Sequence, residues 1–126
     1  MPINIERLEP GIFRAECIGQ LTIEDILVRM REITALAEKS GDANWVLLAD
    51  LTQSNKIPFD MKTLTNSANA AKSAAGYIFV NAPYVGQVIG NMLDKLSAKK
   101  FSFADSMEDG LAQAHSILSE FVSTNQ

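Results

Sequence analysis

Apolar and polar positions alternate along the first two segments of the chain. Met1–Leu8 alternates weakly, with Ile3 and Ile5 on one side. Ile12–Ile18 alternates well, with Phe13, Ala15 and Cys17 on one face and Arg14 and Glu16 on the other. Glu9-Pro10-Gly11 between them is turn chemistry, because Pro presets φ and Gly permits positive φ. Together they predict an antiparallel hairpin with one wet face.

After Gly19-Gln20 the period changes to that of a helix. Thr22 is placed as an N-cap with Glu24 and Asp25 in the first turn, and Gly41 as the C-terminal stop. Ile23, Ile26, Leu27, Met30, Ile33 and Ala37 form the apolar stripe. Trp45–Asp50 is a continuous apolar run ending at a carboxylate, the pattern of a central parallel strand covered on both faces.

Leu51–Pro58 is expected to be a loop. Asp60 then caps a second helix whose body carries Ala68, Ala70, Ala71, Ala74 and Ala75, and Phe59 is expected to staple onto Leu64. Tyr77–Val80 is another buried strand, ending at Asn81. Pro83 opens a third helix with Val85, Val88, Ile89, Met92 and Leu96 as its stripe. Phe101–Phe103 is a short strand. A capping box at Ser106–Asp109 starts a last helix that buries Leu111, Ala114, His115, Leu118 and Phe121. The order β-β-α-β-α-β-α-β-α implies an α/β fold with a mixed sheet of about five strands, an antiparallel edge strand and parallel pairs beyond it.

Composition narrows the function. At 126 residues the chain reads as one domain over its whole length, residues 1–126. Fifteen acidic against eleven basic residues make nucleic acid a poor partner. One cysteine and one histidine exclude a disulfide within the chain and a Cys/His-rich metal site. Met1–Glu16 has no apolar signal core, and no run approaches the ~18 apolar residues of a membrane span. A cytoplasmic protein without a cofactor is expected.

The element order, Gly19–Asp25, the Trp45–Asp50 strand and Phe103 with the Ser106–Leu111 helix start resemble the STAS domain, shared by sulfate transporters and anti-sigma factor antagonists. The resemblance lies with small stand-alone bacterial antagonist-like proteins. It implies a non-catalytic regulatory module in which the helix start after the third strand contacts a protein partner. Antagonists carry an Asp-Ser-Ser-Gly-like motif there, with a serine that the partner kinase phosphorylates. This chain has Asp60-Met61-Lys62-Thr63, so only the aspartate matches. Some relatives resemble lipid-binding folds, and the alternative reading is a carrier of a small apolar ligand.

In open α/β sheets, ligands bind beyond the C-terminal strand ends. That rim collects Asp50, Thr52, Ser54, Asn55, Asp60, Asn81 and Tyr84 as candidate ligand or partner contacts; the plain alternative is that they solvate and cap loops. Thr63, with Thr65 behind it, is a candidate phosphoacceptor at a helix N-terminus. Gly86 and Gly90 cost about 1 kcal/mol each inside a helix. They point either to close packing within the domain, or to a self-association face or a ligand approaching the backbone. The outer edge of the first strand shows no bulge signal and is a second route to a homodimer. No nucleophile or acid partners His115, which argues against an enzyme. His115 and Cys17 are expected to be core packing.

Overall fold

The computed structural model describes residues 2–124. Five strands and four helices follow one another as β1 (Ile3–Glu9), β2 (Ile12–Gln20), α1 (Ile23–Ser40), β3 (Trp45–Lys56), α2 (Met61–Ala70), β4 (Ala74–Val80), α3 (Tyr84–Leu96), β5 (Lys100–Ala104) and α4 (Met107–Thr124). The spatial order of the sheet is also β1-β2-β3-β4-β5. The β1–β2 pair is antiparallel and the other three pairs are parallel.

This topology decides where the helices go. Right-handed crossovers that always step the same way along a sheet place every crossover helix on the same face. The core bears this out, since Ile33 and Ala37 of α1, Leu64 and Ala68 of α2, and Ile89 and Leu93 of α3 share one cluster with Phe13, Trp45, Leu47, Tyr77 and Phe101. The last helix has no strand to return to and closes the other face, where Ala114 and Ile117 meet Ile12, Val46, Leu48, Ile78 and Val80. Alternate residues of β3 and β4 therefore enter two different cores, which is why their sequences are apolar without interruption.

Aromatic rings tie the α1–α3 face together across the strands. Trp45, wholly buried, meets Phe13 and Tyr77 edge to face at centroid distances of 6.1 and 6.2 Å. Tyr77 stacks on Phe101 at 4.8 Å. Such pairs each add roughly 0.5–1.5 kcal/mol beyond the area they bury.

The expected caps of α1 form in full. Thr22 Oγ1 accepts from Asp25 N–H, Asp25 returns a carboxylate to Thr22 N–H, and Gly41 adopts φ 77° as the left-handed C-cap.

Several boundaries differ from the sequence reading. β3 continues through Leu51–Lys56, where a loop was expected, because Ile18, Gly19 and Gln20 of β2 pair with Gln53, Ser54 and Lys56. Ala74 and Ala75 belong to β4, since α2 stops at Ala70. Phe59, expected to staple onto Leu64, is 60% exposed. The buried face of α3 is Gly86, Ile89, Gly90 and Leu93, and Val85 and Leu96 face outward. The glycines sit inside the packed face because there is no room for more: a Cβ on Gly90 would lie 2.6 Å from Phe103 Cζ and 3.2 Å from Phe79 Cδ2. His115 is not a core residue. Its side chain is 58% exposed and its Nε2 lies 3.1 Å from Glu9 Oε1, because α4 turns Ala114 and Ile117 to the sheet instead. β1 carries an irregularity at Leu8, between the Arg7–Phe13 and Glu9–Ile12 pairs, where an unbroken edge was expected.

Candidate functional site

The sheet's outer surface near the β3 and β4 ends carries a connected polar network. Asp50 is the last residue of the apolar run and is 8% exposed. Its side chain points to the α4 side of the sheet, with Leu48 before it. Asp50 Oδ1 accepts from Thr52 N–H at 3.1 Å and from Thr52 Oγ1 at 2.6 Å. Thr52 Oγ1 in turn accepts from Asn81 Nδ2 at 2.9 Å. Asn81 sits in the left-handed region at φ 55°, which asparagine tolerates better than most residues, and its N–H donates to Ala104 O. One carboxylate thus connects β3 to the β4–α3 turn, and that turn is fastened to β5.

Arg14 completes the network on the other side. Its Nη2 donates to Asp50 Oδ2 at 2.8 Å and to Glu16 Oε2 at 3.2 Å, and its Nη1 donates to Glu6 Oε1 at 3.1 Å. A half-buried guanidinium among three carboxylates is held charged, and its pKa is raised, first by the hydrogen bond to Asp50. For Asp50, burial is the largest influence and pushes the pKa up. The hydrogen bonds from Thr52 and Arg14 together outweigh it, and the carboxyl stays below the usual range. Arg14 lies outside the residues that the sequence marks as candidates. Its signal was present in the alternation of Ile12–Ile18, but a charged residue on the wet face of a hairpin does not announce a partner thirty-six positions away.

The remaining rim candidates divide. Ser54 Oγ bonds Gly19 O and serves the β2–β3 extension. Asn55 and Asp60 are exposed. Asp60 caps α2, accepting from Thr63 N–H at 3.1 Å and Thr63 Oγ1 at 2.8 Å. Tyr84, at the start of α3, is 80% exposed. It stands with Val85, at 49%, and the nearby loop contributes Phe59 at 60%. The two segments adjoin, since Ile57 Cδ1 lies 3.2 Å from the Cβ that Gly86 lacks. Sequence periodicity missed Phe59 and Val85 because it assigned both to packing.

Of the two candidate phosphoacceptors, Thr63 faces the Asp60 carboxylate. The Thr65 hydroxyl is buried and has no hydrogen-bond partner. Gly86 and Gly90 are buried against the chain's own side chains. Cys17 is buried too, and burial pushes its thiol up to about 12. Among the described residues no three His, Cys, Asp or Glu side chains gather as a metal site, and no helix is long and apolar enough to cross a membrane.

Comparison with known proteins gives fold and little else. Neither a protein-family model nor a curated protein matches the chain. Solved structures do. One is an uncharacterized protein of the DUF3478 family with a SpoIIAA-like fold from Shewanella loihica, at TM-score 0.58 and 20% identity over 89% of this chain and 91% of that one. Another is the anti-sigma factor antagonist SpoIIAA in its unphosphorylated form, at TM-score 0.59 and 9% identity over 90% and 97%. The phosphorylated form of SpoIIAA, a Bacillus cell fate determinant, matches at 0.52 and 11% over 84% and 94%. The five-stranded mixed sheet, its three same-side crossovers and these matches together give the chain a SpoIIAA-like fold of the STAS type.

Proposed function

We propose that this chain is a non-catalytic regulatory module that binds a protein partner at the rim formed by Phe59, Tyr84 and Val85. The observation that carries the reading is the outward placement of these apolar side chains at two adjoining loop–helix junctions. Exposed aromatic residues beside a rigid polar network are the usual make-up of an interaction surface. The Asp50–Thr52–Asn81 hydrogen bonds hold the rim in shape and occupy the Asp50 carboxylate.

The solved antagonist exists in phosphorylated and unphosphorylated forms. We propose that this chain does not switch by phosphate at the start of α2. A phosphate on Thr63 would displace its hydrogen bond to Asp60 and stand against that carboxylate. We propose that self-association uses the outer edge of β1 over Ile3–Arg7, ahead of the irregularity at Leu8.

The test uses a photo-crosslinking residue at position 84 in the native host, followed by affinity measurements with the purified captured protein. Binding should fall at least ~tenfold in Phe59→Ser/Tyr84→Ser and stay unchanged in His115→Ala, on the opposite side of the sheet.

A second reading, carriage of a small apolar ligand, is favoured by one observation of its own. A cavity of about 120 Å³ lies between the sheet and α1–α3.

A further inference from the structure

The geometry points to the cavity beneath α1 and α2 as a binding site for one neutral, single-ring apolar molecule. This inference rests on the carrier reading and names its ligand. The floor is Ala15, Cys17 and Ala49 of β2 and β3, and the roof is Met30 of α1 with Leu64 and Ala68 of α2. Small side chains along the floor, with Ala68 in the roof, leave the space open.

Size and lining decide the ligand. A carbon-lined cavity of this volume, close to the ~150 Å³ known to take benzene or xenon, matches a six-membered ring better than an acyl chain. The wall is almost wholly carbon. Of its polar side chains, Ser67 offers only a neutral hydroxyl, Tyr77 Oη donates to Ala68 O at 3.2 Å, Cys17 Sγ donates to Ala15 O at 3.6 Å, and the Arg29 guanidinium is paired with Glu32. The one lining cation, Arg29, is already paired with Glu32, so an ionised head group would have to displace that carboxylate or stay unpaired, which is costly. A neutral ring replaces missing dispersion contacts and needs no hydrogen bond.

The experiment follows methyl resonances of the full chain by NMR during titration with benzene and toluene, and separately with octanoate. Ala49→Leu fills the floor, and Ala68→Val fills the roof with a smaller addition should the first variant unfold. Benzene or toluene should shift Ile33, Leu64 and Ile89 methyls saturably, and filling should weaken binding at least ~tenfold. Octanoate should leave them in place. If octanoate shifts these methyls and the rings do not, the ligand class is overturned while the carrier reading stands. Failure of all three probes overturns both. Ring binding that both filled variants retain overturns the cavity as the site.

Discussion

Arg14 and Asp50, thirty-six residues apart, meet across the β2–β3 pair with Nη2 and Oδ2 2.8 Å apart. Their side chains are only 23% and 10% exposed, so the pair is shielded more than a surface salt bridge. Removing Asp50 leaves Arg14 with Glu6 and Glu16, and leaves Thr52 and Asn81 without their anchor. Asp50→Ala should therefore cost about 2 kcal/mol, measured by urea unfolding, since a shielded charge-assisted bond to Arg14 and the bonds to Thr52 are lost together. Thr52→Val should cost less, about 1 kcal/mol, because Arg14 and Asp50 still pair. Equal costs would mean that the Arg14 bond contributes nothing.

Acid should act through the same carboxylate and through Asp42. The hydrogen bond from Arg7 is the main cause that lowers the Asp42 pKa. For Asp50 the bonds from Thr52 and Arg14 overcome the upward push of burial. A folded pKa below the unfolded value of about 3.9 gives stability that is present above that value. It is lost as pH falls through the folded pKa. Urea midpoints should stay level from neutral pH down to about pH 5 and then drop. In Asp50→Asn the drop should be shallower; an unchanged acid limb would remove Asp50 from this account.

Gly90→Ala sets two effects against each other. Alanine gains about 1 kcal/mol of helix propensity. Its Cβ would sit 2.6 Å from Phe103 Cζ, and Phe79 limits the ring's retreat from the other side. Overpacking should win, for a net loss of about 1–2 kcal/mol. Phe103→Leu in the Gly90→Ala background should recover part of it, and a double-mutant cycle measures the coupling.

Much of the fold was legible because strand and helix periods differ and the caps are local. Thr22, Gly41, Asp60 and Ser106 each act on residues within a few positions. The departures share one physical cause, which is that tertiary pairing overrides local pattern. Leu51–Lys56 has the composition of a loop but gains strand bonds from the end of β2. Val85 has the period of a buried residue, yet α3 rotates its glycines inward because only they fit against Phe103 and Ile57. At the site, Asp50 and Asn81 were readable as strand ends, while Arg14 became visible only through the β2–β3 register.

Thr65 offers a separate check on packing. Its buried hydroxyl has no partner, so exchanging it for a methyl group removes a desolvation cost at nearly constant volume. Thr65→Val should raise stability by about 1 kcal/mol by thermal or urea unfolding. A loss of that size would mean the hydroxyl has a partner in solution. The same burial predicts that phosphopeptide mapping of protein from the native host finds no phosphate at Thr65, and none at Thr63.

The central claim is that the chain works by contact at the Phe59–Tyr84 rim, and calorimetric titration of the purified crosslinked partner tests it most directly. Phe59→Ser/Tyr84→Ser should lose at least ~tenfold in affinity with little change in Tm, because both side chains are more than half exposed and support no core. Full affinity in that variant would contradict the account, whatever the effect of Asp50 on stability.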